Sequence, residues 1–495
     1  MKTIGLVLIS ASILFFFLGH LSLIDPDEGR YAESAREMMN SNQYLIPLLN
    51  SAPRINKPIL FYWTIVASYK IFGVNEFAAR FPSALSGLGL ILGLYLFVKE
   101  EKKEKRSFIP MLVLLSSPAF LISSRIAITD MLFTTFIIFS IFTFWLGLGN
   151  KKFIFLSFIF AGLSLATKGP AGVLLIFLSI LLFSIIERDR SYFKRLFNPW
   201  GIMIMLLIGG GWYLMLFFKI GQADFFELIR EETLGRFQEG FVHREPFYYY
   251  IPLIFAGFIP WSFFFFRLRK SDLSTRLNRF LICYVFVAVL FFSLCKSKLP
   301  TYILSIFPLL AIVLGDSIER AWEKRTKAGL FFFFTLTAVS LALRFIPPNF
   351  IDVGVSLSFY SIALIIFLIA VPLLMLYKKK LKIQFLYLFL SPVLIYFYLL
   401  LSYGDAFSNY RSTESLFRER DLNAETIYTW KFFKPSILFY SKSKVKEIEG
   451  IEDFKGNYII TPKKELSFLK ERLPSFEIIS ETDKYYLVKV QKLQK

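Results

Sequence analysis

Residues 131–149 form one uninterrupted apolar run, MLFTTFIIFSIFTFWLGLG, with no charged side chain. At about 1.5 Å of rise per residue, about 20 such residues make a helix as long as the hydrocarbon core of a bilayer is thick. The run therefore predicts a membrane-spanning helix. Together with the first run, 4–24, which we expect to remain as an anchor, the remaining apolar runs bring the prediction to about 13 spans: 77–98, 108–123, 153–166, 170–186, 200–218, 251–266, 280–294, 301–315, 328–346, 357–376 and 383–402.

The composition of the whole chain supports this interpretation. Its 495 residues are 55% hydrophobic and 18% aromatic, which leaves more apolar surface than the core of a soluble protein can bury. Lys and Arg number 57 against 37 Asp and Glu, but these cations lie between apolar runs rather than on one soluble domain. The composition therefore excludes a soluble or disordered protein, and no nucleic-acid partner is expected. The two cysteines, Cys283 and Cys295, are too few for a disulfide framework.

The Lys and Arg residues of the connections predict which side of the membrane each connection faces. Cytoplasmic loops carry an excess of both residues. With the N-terminus in the cytoplasm, the inside connections hold the basic clusters, and the short outside connections hold few cations, namely Arg125, Lys168, Lys296 and Lys298. This topology places two long loops, about 25–76 and 219–250, and the tail after residue 401 outside the cytoplasm.

The tail differs in character from the rest of the chain. Val/Ile/Tyr-rich pieces, including 425–430, 436–440, 457–461 and 485–490, are separated by polar stretches. This pattern predicts a small α/β domain at 405–495, following a transmembrane domain at 1–404.

The densest polar segment follows the first span and reads DPDEGRYAESARE at 25–37. Pro26 followed by two acids predicts a helix start, where the helix dipole favours negative charge. On such a helix Asp27, Arg30 and Tyr31 share one face. Two interpretations stay open at this point: a site that carries chemistry, or an interfacial helix whose acids satisfy backbone N–H groups.

Further charged and aromatic residues are predicted on the same membrane face. Lys57 precedes an aromatic run that includes Tyr62, although a lysine there could also extend toward the lipid headgroups. Arg125 and Asp130 lie in a short turn between spans, where charges are usually paired or functional. Cations that hold phosphate oxygens, aromatic rings for a sugar and an isoprenoid, and a carboxylate for the acceptor together suit a lipid-linked phosphate. The remaining members of this set are Lys168, Arg236, His243, Arg244, Glu245, Lys296, Lys298 and Tyr302.

The two histidines of the chain give little support for a metal centre. His243, with Glu245 or Asp27, could contribute to a divalent-metal site, but no His-x-His or Glu-x-x-His spacing accompanies it. His20 lies inside the first span and is interpreted as a packing residue. The sequence therefore requires no cofactor and leaves a divalent metal open.

Several of these segments resemble, in order, the motifs of the bacterial lipid A 4-amino-4-deoxy-L-arabinose transferases. These enzymes belong to the GT-C glycosyltransferases, which include protein O-mannosyltransferases. The resemblance covers about residues 20–310, and its segments are DEGRYAE at 27–33, Lys57-Pro58 before Tyr62-Trp63, NEFAAR at 75–80, Thr129-Asp130, TKGP at 167–170, FVHREP at 241–246 and KSKLP at 296–300.

The resemblance implies a mainly α integral membrane enzyme with the GT-C fold. It would have a long periplasmic first loop with juxtamembrane helices and a small periplasmic C-terminal domain. In the inner membrane, it would move a sugar from undecaprenyl phosphate to lipid A. Asp27 and Asp130 match the family's catalytic carboxylates, and Lys57 and Arg30 match its donor-phosphate contacts. The expected substrate cavity comprises Tyr31, Tyr62, Lys168, His243, Arg244, Lys298 and Tyr302.

One departure and three alternatives accompany this interpretation. Asn56 stands where related enzymes commonly have an acidic residue before Lys-Pro, which weakens any metal ligand expected there. A protein O-glycosyltransferase or a galacturonic-acid transferase would share the donor half of the site. A lipid or solute transporter is disfavoured because the ionisable residues lie at one face rather than at mid-span.

Overall fold

The computed structural model describes residues 2–102, 108–230, 245–323, 381–418, 422, 426–473 and 475–490. The chain is mainly helical and divides into two compact units. Unit 1 comprises Met1–Phe16, Asn56–Phe61 and Ser83–Leu399, and unit 2 comprises Phe17–Ile55, Tyr62–Pro82 and Leu400–Lys495.

The helices of the described residues are numbered in chain order. They are α1 Lys2–Phe15, α2 Asp27–Ser41, α3 Leu60–Phe72, α4 Glu76–Lys102, α5 Phe108–Leu115, α6 Pro118–Ser123, α7 Thr129–Leu146, α8 Lys152–Lys168, α9 Ala171–Ile186, α10 Arg190–Lys194, α11 Pro199–Ile220, α12 Gln222–Arg230, α13 Tyr250–Gly257, α14 Lys270–Leu273, α15 Arg276–Leu294, α16 Ile306–Glu323, α17 Leu381–Arg411, α18 Glu414–Phe417, α19 Pro435–Ser441 and α20 Leu466–Arg472. The strands are β1 Leu48–Leu49, β2 Ala52–Pro53, β3 Thr426–Trp430, β4 Lys444–Ile448, β5 Tyr458–Pro462, β6 Phe476–Glu481 and β7 Tyr485–Val490.

Within the described residues, four helices are long and apolar enough to cross a bilayer: Glu76–Glu101, Thr129–Leu146, Pro199–Ile220 and Arg276–Leu294. Two bent helix pairs, Phe247–Gly257 with Trp261–Arg267 and Phe389–Leu401 with Tyr403–Arg411, raise the number to six if each pair is one span. The predicted spans 328–346 and 357–376 lie outside the described residues. The total of about 13 spans stays a prediction.

Unit 1 is built from apolar helices around a core rich in aromatic rings. Phe97 stacks on Phe142 with ring centroids 4.0 Å apart. The indole Nε1 of Trp261 donates to the hydroxyl of Ser116 over 2.9 Å, because a buried polar atom needs a partner. Helix α11 differs from the other three long apolar helices, since 22% of its most apolar segment is buried, against 50–78% in theirs. Its exposed apolar side chains require a hydrocarbon surrounding such as lipid.

Local sequence interrupts one predicted span and separates two others. The run 108–123 is divided into α5 and α6 at Ser117, with Pro118 beginning the second helix. The runs 153–166 and 170–186 are separate helices because Gly169 has φ +91°, a backbone conformation that favours glycine, and Pro170 follows it. Glycine and proline therefore set the ends of these helices.

Unit 2 contains a five-stranded sheet with the strand order β4-β3-β5-β7-β6. Strand β3 is parallel to β4 and β5, and β7 is antiparallel to β5 and β6. One face of the sheet packs against α19 through Ile437, and the other face packs against α20 through Leu469. The turn of the β1–β2 hairpin contacts β4, because the side-chain amide of Asn50 donates to the carbonyl of Val445 and accepts from its N–H, over 2.6 Å and 3.0 Å.

The strands of the tail match three of the four apolar pieces in the sequence. Pieces 425–430, 457–461 and 485–490 lie on β3, β5 and β7. Piece 436–440 lies in helix α19, because Pro435 occupies its first turn and fixes a helical φ. The sequence pattern did not mark β4 and β6, whose charged residues hide the alternation typical of a strand.

Candidate active site

The first loop, which contains helix α2, carries one exposed carboxylate beside others that are buried and hydrogen-bonded. Helix α2 begins at Asp27, where the N-terminal dipole favours an acid. The Asp27 side chain is 57% exposed, and its nearest cation is Arg30, with Nη1 3.5 Å from Oδ1. Arg30 is 39% exposed. Both predicted residues therefore reach solvent, and their mutual contact is long enough to yield to a ligand.

Glu28, the next residue, is buried and holds the start of the helix. Its carboxylate accepts from Nε and Nη2 of Arg80 over 2.8 Å and 2.7 Å. Arg80 also donates to the carbonyl oxygens of Leu18, Leu21 and Ser22. Glu28 accepts in addition from the N–H of Ile24. The interpretation of first-loop acids as partners of backbone N–H groups therefore applies to Glu28.

Asp25, two residues before Asp27, is also buried and occupied. It accepts from the N–H of Ser436 over 2.9 Å and from the Ser436 hydroxyl, and Lys434 Nζ lies 3.9 Å away. Burial raises the pKa of Asp25 above its ordinary value, and the bonds from Ser436 oppose the shift. Asp25 thus anchors the loop that begins α19, and sequence spacing alone could not distinguish it from Asp27.

Tyr31 and Tyr62 pack together inside unit 2, with ring centroids 5.4 Å apart. Arg54 joins them: its guanidinium lies 5.4 Å from the Tyr31 ring centroid and donates to the Tyr62 hydroxyl. Tyr62 is fully buried and Tyr31 is 5% exposed. Arg54 was not among the predicted site residues, since an arginine in a loop gives no periodic signal.

Four residues of the predicted site meet in unit 1. Lys168 Nζ donates to Asp130 Oδ1 over 2.6 Å, and both side chains are largely buried. The Thr301 hydroxyl donates to the same carboxylate, and the ammonium of Lys57 interacts with it electrostatically. The Lys168 ammonium lies 4.9 Å from the ring centroid of Tyr302. The cluster therefore pairs one carboxylate with Lys168 beside an aromatic ring, and the charge of a second cation, Lys57, acts on the same carboxylate.

Arg125 and Lys298 both donate to backbone carbonyls. Arg125 donates to the carbonyls of the C-terminal end of α1 and lies over the ring of Tyr396. Lys298 is 5% exposed and donates to the carbonyls of Glu245 and Cys295 over 2.9 Å and 2.7 Å. These contacts satisfy the expectation that such charges are paired, with main-chain oxygens as partners.

The remaining expectations concern the histidines and a metal. His243, Arg244 and Arg236 lie outside the described residues. His20 packs edge-on against Phe17, with centroids 5.4 Å apart. Across the ranges that the structure describes, no group of three or more His, Cys, Asp or Glu side chains is arranged to hold a metal ion. Glu245, within those ranges, has an exposed side chain.

Comparison with known proteins assigns a family. The family model of dolichyl-phosphate-mannose-protein mannosyltransferases matches residues 56–217. A protein of Aquifex aeolicus without an assigned function is 31% identical over 459 residues, which cover 89% of this chain and 87% of that protein. The undecaprenyl phosphate-alpha-4-amino-4-deoxy-L-arabinose arabinosyl transferase of Wigglesworthia glossinidia brevipalpis is 32% identical over 342 residues, covering 65% of this chain and 60% of the transferase.

A solved structure shares the fold over nearly the whole length. The crystal structure of ArnT from Cupriavidus metallidurans bound to undecaprenyl phosphate superposes with a TM-score of 0.83 at 19% identity, covering 98% of this chain and 97% of that one. The similarity in sequence to the named transferase and the similarity in fold agree. The chain therefore belongs to the lipid A 4-amino-4-deoxy-L-arabinose transferase-like glycosyltransferases of the GT-C superfamily, enzymes that depend on a polyprenyl-phosphate-linked sugar.

Proposed function

We propose that the chain transfers 4-amino-4-deoxy-L-arabinose, or a similar sugar, from undecaprenyl phosphate to lipid A on the periplasmic face of the inner membrane. The name of the Wigglesworthia transferase supports the donor and the sugar. The fold shared with the undecaprenyl phosphate-bound ArnT is consistent with that donor. The excess of Lys and Arg in alternate connections supports a cytoplasmic N-terminus, about 13 spans and a periplasmic domain at 405–495.

The observation that carries the proposal is the exposure of the Asp27 carboxylate. Asp25 and Glu28 on either side of it are buried and bonded within unit 2, whereas the Asp27 carboxylate is 57% exposed. An exposed carboxylate can meet an acceptor, and a buried and bonded one cannot. If the acceptor group is an already ionised phosphate of lipid A, Asp27 orients it or stabilises charge that develops at the anomeric carbon. If the acceptor is a hydroxyl, Asp27 takes its proton as a general base.

Cations are proposed to hold the phosphate of the donor. Lys57 and Arg30 are assigned this role because both match the family's phosphate contacts and a phosphate oxygen bonds strongly to an ammonium or guanidinium group. Asp130 is proposed to hold Lys168 at a fixed position through their 2.6 Å contact. Tyr302 beside Lys168 offers an aromatic face for the sugar or the isoprenoid. Tyr31, Tyr62, His243, Arg244 and Lys298 remain proposed cavity residues.

Transfer to protein is the second candidate function. It is favoured by the match of residues 56–217 to a family described as protein mannosyltransferases. A galacturonic-acid transferase would use the same donor chemistry with a different sugar. Both alternatives keep the roles of Lys57 and Arg30 and change the acceptor or the sugar.

A transfer assay with purified protein distinguishes these functions. Undecaprenyl phosphate carrying radiolabelled 4-amino-4-deoxy-L-arabinose or galacturonic acid is incubated with the protein and either lipid A or a peptide rich in Ser and Thr. We expect label from the aminoarabinose carrier on lipid A. Label on the peptide but not on lipid A would replace the proposal with protein glycosylation, and label from the galacturonic-acid carrier alone would replace the sugar.

A further inference from the structure

Unit 2 contains a polar pocket of about 330 Å³ that is lined by none of the residues assigned to sugar transfer. One wall is the C-terminal half of α2, where Glu33, Arg36 and Glu37 follow the i, i+3, i+4 spacing of one helix face. The turn of the β1–β2 hairpin forms the second wall. The third wall is the segment Lys442–Lys444, which follows α19 and includes the first residue of β4. The pocket lies at the lower end of the volumes of small-molecule sites, about 300–1,000 Å³.

Hydrogen bonds hold these walls in place. Glu37 accepts from the N–H groups of Asn50 and Ser51 over 2.6 Å and 2.9 Å. Arg36 Nη2 donates to the carbonyl of Leu438 on α19 over 3.1 Å. The side chain of Asn50 binds the main chain of Val445. The pocket is therefore preformed, and a ligand would not have to pay the entropy of ordering its walls.

The floor of the pocket holds two buried polar atoms with unused bonding capacity. Arg36 Nη2 donates to Glu33 Oε1 over 2.7 Å, and the side chains are 12% and 2% exposed. In the part of the chain that the structure describes, no group donates to Glu33 Oε2 and none accepts from Arg36 Nε. Buried polar atoms without partners are destabilising and rare. Since the two side chains are bonded to each other, they bring an acceptor and a donor close together, which suits a hydroxyl group because it both donates and accepts.

The mouth of the pocket is basic. Lys442 and Lys444 are exposed at its rim. Burial raises the pKa of Glu33 to about 7, with the Arg36 contact opposing the shift and the neighbouring Glu37 adding to it. Near neutral pH the Glu33 carboxyl is therefore partly uncharged, and Glu37 is occupied by two N–H groups. The positive charges of Arg36, Lys442 and Lys444 outnumber the negative charges of Glu33 and Glu37. The rim therefore attracts an anion.

We propose that this pocket binds a phosphorylated sugar, with sugar hydroxyls on Glu33 and Arg36 and the phosphate on Lys442 and Lys444. The proposal does not depend on the transfer reaction, because none of these four residues is assigned to it. The ligand is either a free sugar phosphate or the phosphorylated sugar headgroup of a glycolipid, since both present the same chemistry.

Binding to the full-length protein in detergent micelles tests the proposal. Glucose 6-phosphate, glucose, inorganic phosphate and lipid A are titrated separately by calorimetry. The variant Lys442→Gln/Lys444→Gln removes both rim cations, and Lys446→Gln, an exposed lysine two residues along β4 and outside the pocket, is its matched control. Glu33→Gln keeps the shape of the floor and places an amide where the carboxyl was. Circular dichroism and the apparent Tm verify that each variant is folded.

We expect saturable binding of glucose 6-phosphate or of lipid A, at least about fivefold tighter than inorganic phosphate or glucose. The double lysine variant should weaken binding of glucose 6-phosphate at least about tenfold and should lose one of two lipid A sites, the other being the transfer site, whereas Lys446→Gln should leave both ligands unaffected. Glu33→Gln should weaken binding of the sugar phosphate and leave that of inorganic phosphate unchanged. Loss of one of two lipid A sites in the double variant, with no binding of glucose 6-phosphate, identifies a glycolipid headgroup. The proposal is overturned if glucose 6-phosphate does not bind and lipid A has a single site, or if the double lysine variant binds both ligands as wild type does.

Discussion

The buried contact between Glu28 and Arg80 can be tested by removing each partner separately and together. Arg80→Met deletes two hydrogen bonds to the Glu28 carboxylate and three to the carbonyls of Leu18, Leu21 and Ser22. It also leaves a carboxylate that is 1% exposed without its cation. Stranding one member of a buried ion pair costs about 3–5 kcal/mol, so we expect a loss of stability of that size.

The second substitution separates the charge from the carbonyl contacts. Glu28→Gln in the wild-type background weakens the pair and should lower stability, whereas in the Arg80→Met background it removes the stranded charge and should raise it by at least about 1 kcal/mol. The double variant still lacks three hydrogen bonds to carbonyls, each worth about 0.5–1.5 kcal/mol. It should therefore remain less stable than wild type.

Denaturant unfolding of the purified protein in micelles measures these differences. The exposed contact of Arg30 with Asp27 provides the control, and Arg30→Met should change stability by less than about 0.5 kcal/mol. The reasoning fails if Arg80→Met is as stable as wild type. It also fails if Glu28→Gln destabilises both backgrounds equally.

Four further predictions concern the reaction, the donor, the pH and the topology. Asp27→Asn should abolish transfer and leave folding intact, because the residue is exposed at the start of α2; near-normal turnover with purified substrates would return Asp27 to the role of a helix-terminal acid. Lys57→Ala should weaken use of the donor by about ten- to a hundredfold, about 1.5–3 kcal/mol for one lost phosphate contact, and an unchanged donor KM would count against that role. Folding raises the pKa of Glu33 from 4.5 to about 7, so its contribution to stability is complete below pH 4.5 and is lost as the pH rises through 7. Over that range wild type should lose up to about 3 kcal/mol more stability than Glu33→Gln. Parallel curves of apparent Tm against pH for the two proteins would refute the shift. Reporter fusions at Asp405 and Lys495 should be active only in the periplasmic format, and activity of a cytoplasmic reporter there would reverse the topology.

Local patterns predicted the helices because their causes are local. Apolar runs such as 131–149 became long helices, and Pro118 and Gly169 set breaks where backbone conformation requires them. The predicted topology placed Asp130 and Lys168 at the same membrane face. It did not predict that they form an ion pair. Helix α19 was the exception in the tail, because an apolar run of five residues fits a strand or a helix equally well.

Long-range pairings could not be predicted from the sequence. Glu28 and Arg80 are 52 residues apart, and Asp25 and Ser436 are 411 apart. Which of several neighbouring acids is desolvated depends on what packs against it, and that information is absent from a single sequence. The sequence marks the first loop as the densest polar segment of the chain, while the division between the buried, bonded acids and the exposed Asp27 required the structure.

The contact of Asn50 with Val445 has a consequence for association between molecules. Strand β4 is the first strand in the order of the sheet, so among the described residues no strand pairs with its outer side. Free N–H and C=O groups on such a side invite a strand from another chain. The Asn50 amide occupies the N–H and C=O groups of Val445, the second residue of β4. Asn50 thus blocks one residue of this edge from pairing with a strand of another molecule.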